Sequence, residues 1–340
     1  MSTNPGHVVI TTAQAPTEAV VALAQAARRE DMSATIIGDR KTPDSLWLGT
    51  EAYFSLAAQN QHGYRILRKL PENHYARKNV GYLIAITQGA EAIFDTDDDN
   101  LPLPNWSRRS ETVSARLSEQ RGWINAYQHF SDKRIWPRGF PLEELDWARL
   151  KAPSENTTPV SAPIQQGVVD GSPDVDAIWR LTIGGEVVFD RNSDVFLPQG
   201  AWCPFNSQAT WWFPAAYPLM YLPSHVSFRM TDIWRSFIAQ RCLWAMGLGV
   251  LFYAPEMYQD RNPHNLLRDF ELEVPGYLNN GKICEVLETA QLETAPSSVL
   301  DNLHRCYEAL IVAGLLPAEE MSLVELWIED ITSIHAQSRA

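Results

Sequence analysis

Apolar and polar positions along the first hundred residues follow the order strand, helix, strand, helix, strand. The predicted elements are a strand at residues 7–12, a helix at 16–30, a strand at 33–39, a helix at 77–90 and a strand at 92–95. Thr17 is a good N-cap for the first helix, and Gly89 is a C-terminal glycine for the second. Strands and helices that alternate through short connections predict an α/β fold with parallel strands.

After residue 105 this alternation weakens. A Pro/Ser/Thr-rich stretch at 150–167 predicts an exposed linker, and two short strands are expected at 177–182 and 186–190. A long buried helix is predicted at 232–252, followed by two amphipathic helices. These two helices cover residues 297–316 and 322–334. The predicted division is a domain at 1–250, with a nucleotide half at 1–105 and an acceptor half at 106–250, and a helical region at 251–340.

Composition restricts the classes of function. The 340 residues carry a formal net charge of −13, which argues against broad nucleic-acid binding because that needs a basic surface. The four cysteines lack zinc or disulfide spacing, so buried free thiols are expected. No apolar run approaches the ~20 residues that span a bilayer, and no signal peptide is visible. We therefore expect a cytoplasmic protein without an integral membrane segment.

The stretch AIFDTDDDN, residues 92–100, places four carboxylates in five positions behind an apolar strand. Ligands bind at the carboxyl ends of strands in open α/β sheets, and crowded carboxylates suit a hard divalent cation. One alternative is a solvated acidic turn. An EF-hand counted from Asp95 fails, because Asn100 and Trp106 occupy its Gly and Glu positions. Another alternative is a haloacid-dehalogenase-like phosphatase with Asp95 as the nucleophile.

A third interpretation is the Asp-x-Asp metal motif of GT-A nucleotide-sugar transferases, in which a cation bridges carboxylates and the donor diphosphate. An Arg–x–Asn–x–Gly element, which also occurs in that class, opens the helix before the acidic strand. Arg77 and Lys78 at a helix N-terminus are suited to hold a diphosphate. The two elements together favour this third interpretation.

Eight stretches in a consistent order resemble the STELLO-like glycosyltransferases and, more distantly, the reversibly glycosylated polypeptides, which are UDP-arabinopyranose mutases. The stretches run from about residue 8 to residue 250: VVITT, IIGDRKTP, GYRILRKLPENHYARKNVGYLIAI, FDTDDDN, WPRGFPL, DGSPDVDAIWRL, PFNSQ and RMTDIWRSFIAQRCLW. Plant STELLO proteins are Golgi membrane proteins, whereas no membrane anchor is visible in this sequence. We therefore do not transfer their location to this chain. The resemblance implies a GT-A (Rossmann-like) mixed sheet flanked by helices, with a helical C-terminal extension.

The resemblance also implies roles for individual residues around a nucleotide-sugar donor and Mn²⁺ or Mg²⁺. Thr11, Thr12 and Asp39 would contact the nucleoside, and Lys41 would lie near uracil. Arg77 and Asn79 would contact the diphosphate or the sugar. Asp97 and Asp99 would bind the cation, and Asp98 would contact the donor sugar. A UDP-sugar is the expected donor. Which carboxylate touches the metal directly stays open.

The second half offers acceptor-binding candidates. Asp174 and Asp176 lie in a Gly/Pro-containing loop, and Asn206 and Gln208 lie between aromatic residues. Short Asp side chains in such loops either satisfy backbone N–H groups or bind sugar hydroxyls, and both remain open here. Asp232 is either a helix N-cap or, if the enzyme inverts configuration, the base that accepts the acceptor proton.

The arginine that inverting GT-A enzymes carry after this aspartate is replaced by Leu243, so the base assignment depends on the aspartate alone. The overall prediction is a metal-dependent glycosyltransferase that moves a sugar to a glycan or other hydroxyl acceptor. The alternatives are a nucleotide-sugar mutase, a non-catalytic partner of a polysaccharide assembly, and the phosphatase. Homo-oligomerisation is left open.

Overall fold

The computed structural model describes residues 6–50, 52–145, 153–260 and 265–337. The strands within these ranges are β1 (Gly6–Thr11), β2 (Met32–Ile37), β3 (Tyr53–Phe54), β4 (Ile93–Thr96), β5 (Asn100–Pro102), β6 (Thr112–Leu117), β7 (Gly122–Trp123), β8 (Thr158–Ser161), β9 (Ile164–Gly171), β10 (Val195–Leu197), β11 (Ala201–Trp202), β12 (Ala209–Trp212) and β13 (Val250–Gln259). The helices are α1 (Glu18–Arg29), α2 (Leu56–Asn60), α3 (Lys78–Thr87), α4 (Ala177–Thr182), α5 (Thr231–Ala245), α6 (Leu266–Thr289), α7 (Val299–Val312) and α8 (Met321–Gln337).

Eleven strands form one mixed sheet in the order β3-β2-β1-β4-β12-β9-β13-β10-β6-β8, with β5 paired to β13. The first four strands of this order are mutually parallel, and β12 runs antiparallel to both β4 and β9. Val9 packs in the core beside α3, whereas Val8 and Ile10 pack beside α1, so these helices cover opposite faces of β1. The fold is α/β and GT-A-like, as predicted.

The local signals of the first hundred residues are confirmed. The Thr17 hydroxyl accepts a hydrogen bond from the Val20 N–H at 3.1 Å and caps α1. Gly89 follows α3 with φ of +77°, which favours glycine. Within α3, a Cβ on Gly81 would lie 2.6 Å from Val9 Cγ1. Glycine at this position therefore lets α3 approach β1 closely.

Several predictions for the second half are wrong. Residues 177–182 form helix α4, because the Asp176 carboxylate caps its first turn at the Trp179 N–H. Residues 186–190 contribute only an isolated bridge from Val187. The predicted linker contains the start of β9, a buried strand between β12 and β13, while residues 150–152 lie outside the described ranges. The helix predicted to continue to residue 252 ends at Ala245.

The C-terminal region shares its packing with the sheet. Both predicted terminal helices are present as α7 and α8, and α6 is an additional helix of 24 residues. One apolar core includes Val9 of β1 and Trp327 of α8. β13 pairs with β9 inside the sheet, so the sheet continues past the predicted boundary at residue 250. No helix among the described residues is long and apolar enough to cross a membrane.

Candidate functional site

A cavity of about 580 Å³ lies where β1, β2 and β4 end. It is lined by side chains from distant parts of the chain: Thr11, Thr12, Gln14, Asp39, Lys41, Asn73, His74, Tyr75, Arg77, Asp97, Asp98, Asp99, Arg138, Asp174, Arg180, Asn206, Gln208, Phe228, Arg229, Asp232 and Gln259. The structure thus brings together twelve of the fourteen predicted site residues. The two that it places elsewhere are Asn79 and Asp176.

Asp97, Asp98 and Asp99 form the acidic turn at one wall of this cavity. Asp98 accepts hydrogen bonds from the Thr12 hydroxyl at 2.7 Å and from the Gln14 amide at 3.3 Å. Asp99 accepts from the Gln259 amide at 2.9 Å and the Asn100 amide at 3.2 Å. Burial, reinforced by the charges of the neighbouring aspartates, raises the pKa of Asp99 to about 6.

Beneath the acidic turn, two buried cations compensate the first carboxylate of the cluster. Asp95 is fully buried, 2.7 Å from Lys78 Nζ and 3.1 Å from an Arg235 nitrogen. Lys78 is also fully buried and does not line the cavity. The prediction that Lys78 helps to hold a diphosphate is therefore wrong. Asp95 is equally enclosed, which leaves no access for the nucleophile of the phosphatase alternative.

Asp97 connects this buried cluster to the cavity. Its Oδ1 accepts from the Tyr75 hydroxyl at 2.7 Å and from Lys78 Nζ at 3.0 Å, while 31% of its side chain remains exposed. Burial raises the pKa of Asp97, and Lys78 and Tyr75 only partly offset that effect. Lys78 therefore contacts one oxygen of each aspartate, and Arg235 contacts the other oxygen of Asp95, whereas the second oxygen of Asp97 has no such cation among the described residues.

The donor set of the acidic turn fits a divalent cation only in company with a ligand. Among the described residues, no group of three or more His, Cys, Asp and Glu side chains is arranged to hold a metal ion. Asp98 and Asp99 have hydrogen-bond donors but no ion pair within the described part of the chain. Mg²⁺ sites with one or two carboxylates and substrate phosphates have this sparse protein donor set.

Four further lining residues form what we call the nucleoside end: Thr11, Thr12, Asp39 and Lys41. This end adjoins the acidic turn, because the Thr12 hydroxyl donates to Asp98. The Asp39 carboxylate accepts from the backbone N–H groups of Asn73 at 2.8 Å and His74 at 3.0 Å. Its oxygens thus fix the turn that precedes Tyr75.

Arg77 reaches the cavity, and its Nε donates to Gln59 Oε1 at 3.1 Å. Asn79 lies away from the cavity: its amide binds the Leu222 backbone through both its nitrogen, at 2.9 Å, and its oxygen, at 2.8 Å. Asn79 is therefore a structural link between α3 and the segment at Leu222, and it is not positioned to contact the diphosphate.

Asp232 lines the cavity as part of a network centred on Arg138. Arg138 donates to Asp174 through two nitrogens, each at 2.8 Å, and to both oxygens of Asp232 at 3.0 and 2.9 Å. Although burial disfavours charge, Asp174 and Asp232 hold the pKa of Arg138 well above its usual range. Burial would raise the pKa of Asp174, yet the Arg138 charge leaves it lowered. We call this group the arginine bridge.

Asp232 is not the predicted N-cap, because α5 begins one residue earlier, at Thr231. Its oxygens accept instead from Arg138 and from the backbone N–H groups of Ser207 and Ile233. Arg235, one turn later, pairs with the buried Asp95.

The other acceptor candidates divide into two groups. Asn206 and Gln208 line the cavity together with Asp174. Asp176 is buried: it caps α4 and accepts from the Trp136 indole at 2.6 Å, and burial raises its pKa to about 6. Asp176 is therefore a structural residue, in line with the backbone-satisfying role that was left open for it.

Sequence reasoning missed several cavity residues, above all Arg138, Phe228 and Arg229. Arg138 lies within the stretch WPRGFPL and Arg229 begins the stretch RMTDIWRSFIAQRCLW, both of which carried the family resemblance. Membership of these stretches was the available signal. No local pattern indicates that Arg138 meets carboxylates 36 and 94 residues away in sequence.

Comparisons with known proteins find similarity to the same family as these stretches. The family model of the STELLO glycosyltransferases matches residues 229–338. Two proteins of Arabidopsis thaliana, "Probable glycosyltransferase STELLO2" and "Probable glycosyltransferase STELLO1", are 29% and 28% identical over 357 and 352 residues. Each alignment covers 97% of this chain but only 45% and 44% of the plant proteins, so the chain spans less than half of their length.

Proposed function

We propose that the cavity of this chain, which is similar to the STELLO glycosyltransferases, binds a nucleotide-sugar donor with a divalent cation and transfers the sugar to a hydroxyl of a glycan acceptor. The observation that carries the proposal is the acidic turn. Its three carboxylates line the cavity, and Asp98 and Asp99 have no cationic partner among the described residues. A cation shared with a diphosphate supplies the missing positive charge.

The donor is proposed to lie between the nucleoside end and the acidic turn, with uridine as its nucleoside. Thr11 and Lys41 offer a hydroxyl and an ammonium group to the nucleoside, while Asp39 holds the turn that forms its side wall. Thr12 lines the same end, and its hydroxyl donates to Asp98. Arg77 offers a cation toward the diphosphate. Asp98 is proposed to accept from a hydroxyl of the donor sugar.

Asp97 and Asp99 are proposed to hold Mn²⁺ or Mg²⁺. Asp97 would contribute chiefly its second oxygen, because Oδ1 already accepts from Tyr75 and Lys78. When bound, the cation would stabilise negative charge on the departing nucleoside diphosphate.

Asp232 is proposed as the group that accepts the acceptor proton, since it is a carboxylate that lines the same cavity as the acidic turn. Arg138 holds Asp232 in place by donating to both of its carboxylate oxygens. Asp174, Asn206 and Gln208 line the same part of the cavity and offer hydrogen bonds to acceptor hydroxyls.

Isothermal titration calorimetry with UDP, GDP and CDP, with and without Mn²⁺, tests the proposal. UDP binding should require Mn²⁺ and should be lost in Asp99→Ala, whereas Asp132→Ala, an exposed aspartate outside the cavity, serves as the matched control. Binding that does not depend on the metal, or no binding of any nucleotide, would overturn it. Interconversion of the donor's sugar ring without any acceptor would identify a mutase instead.

A further inference from the structure

The side chain of Phe228 is a feature that the proposed roles do not use. It lines the cavity and is 50% exposed, although a phenyl ring gains more from burial than from contact with water. Single exposed apolar residues on a surface are ordinary. An exposed aromatic ring inside a polar cavity is different, because it offers an apolar face to whatever the cavity binds.

The backbone that carries Phe228 is fixed on both sides. The Ser227 hydroxyl donates to the Leu272 carbonyl of α6, and the Arg229 carbonyl accepts from Arg138. The Arg229 side chain is held by Glu273 of α6, with nitrogen–oxygen distances of 3.0 and 2.9 Å. Phe228 therefore projects from a well-braced turn.

The two aromatic rings next to Phe228 leave room for a stacked ligand. His74 and Tyr75 lie at centroid distances of 6.3 and 5.9 Å, with interplanar angles of 78° and 71°. Among the described residues, no aromatic ring lies parallel to Phe228. The two perpendicular neighbours hold the phenyl ring in orientation while half of its surface stays open.

The charges around Phe228 are compensated internally. Arg138 is paired with Asp174 and Asp232, and Arg229 is paired with Glu273. A ligand beside Phe228 therefore needs no net charge, and the cavity's carboxylates and amides can accept from or donate to hydroxyl groups. An apolar ring face next to hydroxyl-binding groups is the combination that suits an uncharged pyranose, which has a C–H face and a rim of hydroxyls.

We propose that Phe228 is a stacking platform for a pyranose ring of the acceptor saccharide. The assignment to the acceptor depends on the proposed function, in which Asp232, four residues after Phe228 on the same cavity, accepts the acceptor proton. The competing occupant is the nucleobase, because His74 also borders the nucleoside end through its hydrogen bond to Asp39. The bracing of Phe228 by α6 and its proximity to the arginine bridge favour the saccharide.

Saturation-transfer NMR with methyl β-D-glucopyranoside and cellobiose tests the platform without any donor. Transfer to H1, H3 and H5, which share one face of the ring, should exceed transfer to H2 and H4. Phe228→Ala should weaken binding by about fivefold, which corresponds to about 1 kcal/mol for the lost contact with the aromatic ring. Phe228→Trp should retain binding, and Phe270→Ala, an exposed phenylalanine outside the cavity, should have no effect.

Calorimetry with UDP and Mn²⁺ on the same variants separates this inference from the proposed function. Unchanged UDP affinity in Phe228→Ala together with weaker saccharide binding supports the platform. Weaker UDP binding in this variant assigns Phe228 to the nucleobase and overturns the saccharide platform, as does wild-type protein that binds neither saccharide. Saccharide binding that depends on Phe228 in a protein without UDP binding would keep the platform and refute the transferase. Thermal melting of each variant confirms that it is folded.

Discussion

Replacing Lys78 by Met should destabilise the protein strongly, because Lys78 is the buried cation between Asp95 and Asp97. All of its ion pairs lie within 3.0 Å, and its side chain and that of Asp95 are fully buried. Removing one partner of a buried ion pair costs about 3–5 kcal/mol, since the other charge stays buried and uncompensated. Arg235 still faces Asp95 in the variant, so the lower part of this range is expected.

The size of the melting shift follows from the length of the chain. At about 2.1 cal/mol/K per residue, 340 residues give an unfolding entropy of about 0.7 kcal/mol/K, so a loss of 3–5 kcal/mol lowers the melting temperature by about 4–7 °C. Differential scanning calorimetry measures this shift, and urea unfolding measures the free energy. Arg40→Met is the matched control, because Arg40 pairs with Glu72 at the surface and is 67% exposed. That variant should lose less than about 1 kcal/mol.

Double-mutant cycles then test which aspartate, Asp95 or Asp97, interacts more strongly with Lys78. The coupling energy of Lys78 with Asp95 should exceed its coupling with Asp97, because Asp95 is fully buried whereas 31% of the Asp97 side chain is exposed to screening by water. The combined variants use Asp95→Asn and Asp97→Asn. A Lys78→Met variant within about 0.5 kcal/mol of wild type would refute the reasoning. A larger coupling with Asp97 would refute it as well.

Three further predictions concern the cavity and its support. Because the pKa of Asp99 is raised to about 6, the apparent Mn²⁺ affinity measured with UDP should fall as the pH drops below 6, and an affinity that does not change with pH would contradict this. For the same reason, Asp99→Asn should stabilise the metal-free protein above pH 6, where the carboxylate charge costs most. Asn79→Ala should lower the free energy of unfolding by about 2–3 kcal/mol, because two hydrogen bonds to Leu222 are lost, while the folded variant should keep its UDP affinity. Loss of UDP affinity without loss of stability would instead show that Asn79 contacts the nucleotide. Asp232→Asn should reduce sugar transfer by about 100-fold or more while UDP affinity is unchanged, and full activity would exclude Asp232 as the base.

The sequence predicts the nucleotide half well because local signals control it. Hydrophobic periodicity gives β1, β2, β4, α1 and α3, and the Thr17 cap and Gly89 terminus have the expected geometry. These features depend on residues within one turn of each other. Carboxyl ends of parallel strands meet at one edge of a sheet, so the position of the acidic turn also followed from the sequence.

The second half was harder because tertiary contacts control it. Gln165 and Gln166 appear polar enough for a linker, yet both are buried in β9, where the Gln166 amide oxygen accepts from the Thr210 hydroxyl at 2.9 Å. The apolar run at 177–182 resembles a strand but forms α4, since the Asp176 carboxylate caps it and Trp179 packs into the core. Thr210 is 44 residues from Gln166, so no local pattern reveals that contact, whereas the Asp176 cap is a local signal that the strand prediction overlooked.

The site divides in the same way. Asp39, Asp97 and Asp232 were proposed as site residues from the family resemblance, and all three line the cavity. Lys78 was misassigned because a helix N-terminus can direct a lysine either outward or inward, and here Asp95 and Asp97 attract it inward. Arg138 was missed because both of its carboxylate partners are distant in sequence.

The central claim is that the acidic turn holds a divalent cation together with a nucleoside diphosphate. Calorimetric titration of UDP into wild-type protein and the Asp97→Ala and Asp99→Ala variants, at matched concentrations of Mn²⁺ and of EDTA, tests it most directly. We expect UDP binding by the wild type in Mn²⁺ only and no binding by either variant in either condition. Equal UDP affinity in Mn²⁺ and EDTA, or Mn²⁺-dependent binding that survives in both variants, would contradict the claim.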